Sequence, residues 1–507
     1  MSIAPLKDPR AKSRLRKHLI PPEALLLVPE GVARKYSAIP IEVNDDVLHV
    51  AMSNPSDIIA LEALATRTQM RIEPEQASPE EIAEAIDFNY QSYEETEKQF
   101  SNVTLPEATE ELSKLNVVTD APVAQALTLM IDEAVKARAS DIHIQPQEDA
   151  LRVRCRIDGT LQETLTLPLK TAIPLISRIK ILANMNIADH HRAQDGQFSI
   201  KTRNRKSVDI RVATIATVYG EMAVLRLLDK SRINMKLSEL GFLPAGLARY
   251  EEMLKVPHGM ILVSGPTGAG KTTTLYASLN GIDHAGRNII TIEDPVEYRF
   301  KHINQVQVNP RAGLTFASGL RSILRLDPNV ILVGEIRDGE TAKIAVQSAL
   351  TGHLVLSSIH ANDAVGVILR LLDLGIEPFL VSSALIGVVA QRMARRICPE
   401  CARPIEAPLI EQVSYKREIG EERKRFVYGA GCKSCAGTGY QGRTGIFEIL
   451  HMSDNIRTMI LNGTTAAELR TQAVKEGMIP IIGAGMIKVK ADITTPAEVL
   501  RNAYAIE

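Results

Sequence analysis

Residues 260–272 read Met260-Ile261-Leu262-Val263-Ser264-Gly265-Pro266-Thr267-Gly268-Ala269-Gly270-Lys271-Thr272. The first four form a short apolar run of the buried-strand type. It leads into a full match to G-x-x-x-x-G-K-[ST] at 265–272, and a helix-like stretch, Thr273 to Leu279, follows. That strand, loop and helix order is the context in which the motif has a mechanism. Glycines let the backbone curl until its N–H groups converge on phosphate oxygens at a helix N-terminus. Lys271 then reaches the β and γ phosphates, and the Thr272 hydroxyl is placed to ligate Mg²⁺. The candidate nucleotide-binding residues are Gly265, Pro266, Thr267, Gly268, Ala269, Gly270, Lys271, Thr272 and Thr273, with ATP and Mg²⁺ as the expected ligands.

Three further apolar runs end in polar residues. Asn288 to Ile292 runs into Glu293-Asp294-Pro295-Val296-Glu297, Val330 to Val333 into Gly334-Glu335-Ile336-Arg337-Asp338, and Leu354 to Ile359 into His360. Strands and helices alternate through to about Gln391, which predicts an α/β fold with a parallel sheet. In such a sheet ligands bind outside the carboxyl ends of the strands, so Glu297, Glu335 and His360 are expected to converge on the phosphates. Each polar end also has an ordinary reading: a helix cap for Asp294, a surface charge for Asp338, a satisfied core histidine for His360.

The rest of the 507 residues fit about three or four domains. Apolar residues make up 45% and charged residues 23%, which excludes wholesale disorder. Fifty-nine Lys plus Arg against 60 Asp plus Glu leave no global positive field. Trp is absent and aromatics are 4%, so stacking platforms for single-stranded nucleic acid are scarce, and no nucleic-acid partner is expected. The N-terminus lacks the apolar core of a signal peptide. A bilayer span needs about 20 apolar residues. The best candidate, Pro378 to Gln391, has 14 uncharged ones. A cytoplasmic or peripheral protein is expected.

Residues 1–100 read as a small mixed α/β adaptor behind a basic leader (Lys7, Arg10, Lys12, Arg14, Arg16 and Lys17 against Asp8). The leader is either a solvated tail or a contact for an acidic partner or anionic lipid. Ile41 to Met52 reads as a hairpin about Asn44-Asp45-Asp46, and Ser78-Pro79-Glu80-Glu81 opens a helix. A linker at 101–120 precedes a second domain at 121–230. It starts on an amphipathic helix (Val123, Leu127, Met130, Ile131, Ala134) and continues in strands that alternate apolar residues with arginines. Cys155 alternates onto the apolar side and is expected to be buried. A second linker spans 231–242, the core 243–390, a cysteine-bearing element 391–450 and a helical region 451–507.

Cys398-Pro399-Glu400-Cys401 and Cys432-Lys433-Ser434-Cys435 stand 30 residues apart. Two C-x-x-C knuckles supply four thiolates in a set that suits a closed, structural Zn²⁺ site. A redox C-x-x-C and a nucleic-acid-binding zinc ribbon, the latter favoured by Arg392, Arg395 and Arg396, are the alternatives.

These motifs together resemble the type II secretion and type IV pilus-assembly ATPase family. TIEDPVE (291–297), GLTFASGLRSILRLDPNVILVGEIRD (313–338) and TGHLVLSSIHANDA (351–364) are similar to its Asp box, Walker B segment and His box. The resemblance implies a hexamer with a RecA-like P-loop core, preceded by a PAS-like α+β domain and a small N-terminal α/β adaptor. It implies Glu297 as the base orienting the attacking water, Glu335 near Mg²⁺ and its waters, and His360 as a γ-phosphate sensor. Arg211 and Arg226 match best the arginines that the preceding domain contributes to a nucleotide site; exposed strand arginines in ordinary salt bridges are the alternative. Pro is usual where Ala193 stands, and Arg where Gln197 stands. The flanks QRMARRICPEC (391–401) and GCKSCAGTGYQGRTGIFEIL (431–450) resemble the secretion and pilus-extension branches, which carry the zinc element. The implied partners are the cytoplasmic domain of an inner-membrane secretion protein, met by the N-terminal domain, and a polytopic inner-membrane platform protein. The implied location is cytoplasmic, peripherally attached to the inner membrane. The leader motif associated with cyclic-di-GMP binding in some relatives is not apparent.

Overall fold

The computed structural model describes residues 22–44, 47–87, 121–202, 207–228 and 235–503, together with Ile20, Asn89 and Tyr90. The basic leader, the linker at 101–120 and the turn at Asp45-Asp46 lie outside the described residues. The chain forms two compact units, one built chiefly on residues 1–229 and the other chiefly on 230–507.

In the first unit, β1 (Ala38–Asn44) and β2 (Val47–Met52) pair antiparallel, the expected hairpin. The Ile58–Thr68 helix then carries the chain across to β3 (Arg71–Gln76), parallel to β2. The helix beginning at 79 carries the anticipated reciprocal cap: Ser78 N–H donates to the Glu81 carboxylate and Glu81 N–H to the Ser78 hydroxyl, both at 3.2 Å. Further along the unit, the Ala121–Lys136 helix buries Val123, Leu127, Met130 and Ile131. They pack against an all-antiparallel sheet of six strands: β4 (Ala139–Pro146), β5 (Ala150–Ile157), β6 (Thr160–Pro168), β7 (Gln194–Lys201), β8 (Ser207–Thr217) and β9 (Gly220–Leu228), in the order β6-β5-β4-β9-β8-β7. Cys155 is buried, and that burial pushes its thiol pKa up, as suits a small apolar residue in a core.

The second unit is organised by a seven-stranded sheet. Its strands are β10 (Gly259–Ser264), β11 (Ile289–Glu293), β12 (Asn304–Gln307), β13 (Val330–Ile336), β14 (Leu354–Ile359), β15 (Leu385–Ile397) and β18 (Tyr440–His451), in the order β12-β11-β13-β14-β10-β15-β18. Every neighbouring pair is parallel except β15 and β18. Helices cover both faces, so β10 and β14 are buried at every residue, which is why they read as unbroken apolar runs rather than alternating ones. The sheet does not stop where strand–helix alternation stops. A 13-residue strand, β15, crosses residue 390, and β18 returns antiparallel beside it from beyond the second cysteine pair. Between them β16 (Ala402–Glu406) and β17 (Arg425–Gly429) form a separate two-stranded ribbon.

The segment read as the second linker is partly structured. Leu237 is buried, and the Phe242 ring stacks on Tyr250 and Phe447 with centroids 5.6 and 3.6 Å away. Burial of Leu237 and the stacking of the Phe242 ring offset part of the entropy cost of ordering these residues. Among the described residues, no helix is long and apolar enough to cross a membrane.

Candidate active site

Four adjacent strand ends form the site. In the order β11, β13, β14, β10, their carboxyl edges carry residues 293–297, Glu335, His360 and the loop 265–270. The sheet thus brings together the polar ends that were widely spaced in sequence.

The loop turns on three glycines with left-handed φ, Gly265, Gly268 and Gly270. Gly265 has φ +146°, and a Cβ there would lie 2.4 Å from the Gln391 carbonyl oxygen, a clash with backbone that cannot yield. Gly270, at φ +87°, caps the Lys271–Asn280 helix and starts it directly behind the loop. The Lys271 ammonium donates to the Gly265 and Pro266 carbonyls at 2.6 and 3.3 Å. A cation is therefore held over a helix N-terminus inside a cradle too tight for a side chain, and this arrangement fits a phosphate chain.

Behind the loop lies Gln391, 1% exposed. Its Nε2 donates to the Ala269 carbonyl at 2.6 Å, and its Oε1 accepts from the Thr274 hydroxyl at 2.8 Å. Sequence reading placed Gln391 at a boundary and gave it no role. The one available signal was an uncharged amide closing a long apolar run.

Glu293 ends β11 and is 3% exposed. Its carboxylate accepts from the Thr291 hydroxyl at 2.5 Å, from Gln305 Nε2 at 3.2 Å and from the Tyr276 hydroxyl. Tyr276 sits on the helix behind the loop, and its oxygen also accepts the Glu297 backbone N–H at 3.3 Å. Burial, and then the charge of Glu293, pushes the Tyr276 pKa above the tyrosine range, so the hydroxyl stays a donor. Glu297 is half-buried, and its backbone is tied through Tyr276 to the loop helix.

Glu335 is gripped on both oxygens: Arg337 Nε stands 2.7 Å from Oε2 and His360 Nε2 2.7 Å from Oε1. The Ser358 hydroxyl donates to the Gly334 carbonyl at 2.7 Å and ties the two strand ends together. Bonding to Glu335, with a further contribution from Asp294, raises the Arg337 pKa. His360 is thus a surface-facing partner of Glu335, its side chain 54% exposed, and not a core histidine. Asp338 has a structural role, capping the Gly339–Leu350 helix through the Thr341 N–H at 2.8 Å.

Arg211 and Arg226 face each other across β8 and β9 in the first unit. Arg226 Nε lies 3.1 Å from the buried Asp141 carboxylate, yet its side chain remains 60% exposed.

The four cysteine sulfurs lie within 4.8 Å of one another, with Cys398 and Cys435 buried. The Cys432 and Gly439 backbone N–H groups point at Cys435 Sγ, at 3.1 and 3.2 Å, as they would at a thiolate. This donor set is compatible with a tetrahedral soft-metal ion such as Zn²⁺. Two of the three arginines beside the knuckles are engaged internally. Arg392 is buried, donating to the Asn362 carbonyl at 3.0 Å, and Arg395 pairs with Glu498 at 2.8 Å and stacks over Tyr440.

Comparison with known proteins agrees with this geometry. The family described as "Type II/IV secretion system protein" matches residues 116–501, more than half of the chain. The chain belongs to that family. An MshEN domain matches residues 13–96. The type IV pilus assembly ATPase PilB of Myxococcus xanthus is 41% identical over 502 residues, 95% of this chain and 87% of that protein. Type II secretion system protein E of Klebsiella pneumoniae is 42% identical over 486 residues, 94% of this chain and 96% of that protein. Among solved structures, the pilus retraction motor PilT with bound ADP is 26% identical with a TM-score of 0.53, covering 75% of this chain and 97% of its own. The Legionella pneumophila ATPase DotB, 19% identical, shares the fold with a TM-score of 0.56 over 79% of this chain and 98% of its own. This member of the type II/IV secretion family is an ATP-hydrolysing enzyme with a P-loop core.

Proposed function

We propose that the chain is the hexameric motor whose ATP hydrolysis powers pseudopilus assembly and protein export in a type II secretion system. The observation that carries this reading is the alignment of the loop, Glu297, Glu335 and His360 on four neighbouring strand ends. In the proposed cycle, Gly265 to Gly270 wrap the phosphates with backbone N–H groups, and Lys271 exchanges its loop carbonyls for phosphate oxygens. Glu297 takes the proton of the attacking water, and its backbone link to Tyr276 keeps it in register with the loop. Glu335 would lie near Mg²⁺ and its waters, and His360, bonded to Glu335, reports the γ-phosphate. The Thr272 hydroxyl would hold Mg²⁺, which would supply positive charge to the phosphates. Arg211 and Arg226, acting on a site in a ring, neutralise the leaving phosphoryl group, an effect worth about 10³–10⁵ in rate in other NTPases.

The tetracysteine site, Cys398, Cys401, Cys432 and Cys435, holds Zn²⁺ in a structural role, since all four positions are filled by thiolates. The N-terminal domain docks on the cytoplasmic domain of an inner-membrane secretion protein, and a polytopic platform protein receives the motion, which places the motor peripherally on the inner membrane. Pilus extension is the second reading, favoured by the 41% identity with PilB over 502 residues. A DNA-handling role is disfavoured by the engagement of Arg392 and Arg395 inside the fold.

Two experiments test the reading. Glu297→Gln abolishes hydrolysis by the full-length chain and leaves Mg·ATP binding within about threefold; turnover by the variant would refute the assignment of the base. Disruption of the gene in its host blocks export of secreted proteins and leaves surface pili in place; the reverse pattern would establish pilus extension.

A further inference from the structure

We propose that Gln391 is a positioning residue for the nucleotide: its side-chain amide clamps the phosphate-binding loop to the helix behind it and holds the loop in its binding shape. The inference rests on the reading of 265–272 as a phosphate cradle.

The register of the sheet sets up the contact. β15 runs parallel to β10, with Ala390 paired to Ser264 at the end of the ladder. The next residue on each strand is Gln391 and Gly265, so Gln391 leaves the sheet level with the first residue of the loop. There it meets the loop at several points. Its carbonyl oxygen occupies the space a side chain at 265 would need, 2.4 Å from that Cβ position. Its Nε2 donates to the Ala269 carbonyl at 2.6 Å, near the far end of the loop. Nε2 also lies 3.4 Å from where a Cβ on Gly270 would be. Its Oε1 accepts from the Thr274 hydroxyl at 2.8 Å, one turn into the helix.

The chemistry of the site selects an amide. The Ala269 carbonyl can only accept, and the Thr274 hydroxyl is offered as a donor. One buried side chain that must donate at one end and accept at the other, within the length of a glutamine, is Gln itself. A carboxylate would set oxygen against oxygen at Ala269 and place a negative charge under the phosphates. A loop this rich in glycine has several conformations of similar energy, and orphaning the Ala269 carbonyl favours those that turn it toward water. Gln391 lies behind the backbone whose front face receives the ligand, so its effect is read in affinity.

The test is Mg·ADP binding by full-length wild type, Gln391→Met, Thr274→Val and the double variant, read by isothermal calorimetry beside the ligand-free Tm. Gln391→Met is expected to raise Kd about tenfold, equivalent to about 1.4 kcal/mol, and Thr274→Val about threefold. Adding Thr274→Val to Gln391→Met should change Kd less than twofold further, because the hydroxyl's partner is already gone. An unchanged Kd in Gln391→Met, with or without a lowered Tm, overturns the proposal, as does full additivity in the double variant. If Gln391→Met does not fold, Thr274→Val alone decides by the same measurement: a Kd unchanged from wild type overturns the clamp. Failure of the wild type to bind Mg·ADP would instead refute the cradle reading beneath it.

Discussion

Replacing Tyr276 by Phe removes one oxygen and leaves the ring contacts with Tyr298 and Phe300 in place. The lost hydroxyl donates to the Glu293 carboxylate and accepts from the backbone of Glu297, at 3.3 Å, and of Tyr298. Glu293 then keeps only Thr291 and Gln305 as donors in a 3% exposed setting. A bond to a charged group contributes about 1.5–3 kcal/mol, so the variant should lose about 2 kcal/mol of stability. In a unit of this size that lowers Tm by roughly 4–8 °C. The second bond bears on catalysis: without it the segment carrying Glu297 is no longer tied to the loop helix, and kcat should fall about tenfold with the KM for ATP within about threefold. A coupled ATPase assay and a thermal melt on the same preparation measure both. A kcat within twofold of wild type refutes the anchoring of Glu297, whatever happens to Tm.

Two further outcomes follow from the surroundings of the site. Cys401→Ser removes one thiolate of the cluster, and zinc measured by plasma emission on the purified protein should fall from one per chain to near zero, with a lower Tm; unchanged zinc would contradict the tetracysteine site. Lys488 is buried with its ammonium on the Gly241 carbonyl and the Thr444 hydroxyl, and burial, then the charge of Arg396, lowers its pKa to about 8. The unfolded chain, with an ordinary lysine near 10.5, therefore binds more protons between those values, and stability should rise with pH through that window. Between roughly pH 7.5 and 9.5 urea unfolding should show a gain of about 2 kcal/mol that Lys488→Met lacks; equal pH slopes would show that the buried charge has no such effect.

The parallel core was legible because burial on both faces writes itself as apolar runs, and each run ended in a group with recognisable chemistry. The amphipathic helix at 121–136 and the reciprocal cap at Ser78 and Glu81 were legible for a related reason, since local periodicity and capping need no tertiary information. The reach of the core sheet past residue 390 was not. β18 joins it antiparallel after a ribbon and both cysteine pairs, and nothing local in Tyr440 to His451 says which strand it will meet. Leu237 to Phe242 look like a linker because their polarity is ordinary, and only the stacking of Phe242 on a ring 205 positions later, Phe447, fixes them. Within the site, residues expected to touch substrate could be picked out by type. Gln391 and Tyr276 act through other residues, and their roles exist only in the distances to Ala269, Thr274, Glu293 and Glu297. Arg337 sat in plain view two residues after Glu335, yet its grip on that carboxylate depends on how the strand end turns.

The claim beneath the proposed motor is that a loop in one protomer hydrolyses ATP at full rate only with positive charge supplied within a ring. ATPase rate per chain, followed across a dilution series beside the mass distribution, addresses it most directly. The account predicts a rate that climbs as the population shifts from monomers to hexamers, whereas full turnover by isolated monomers would contradict it.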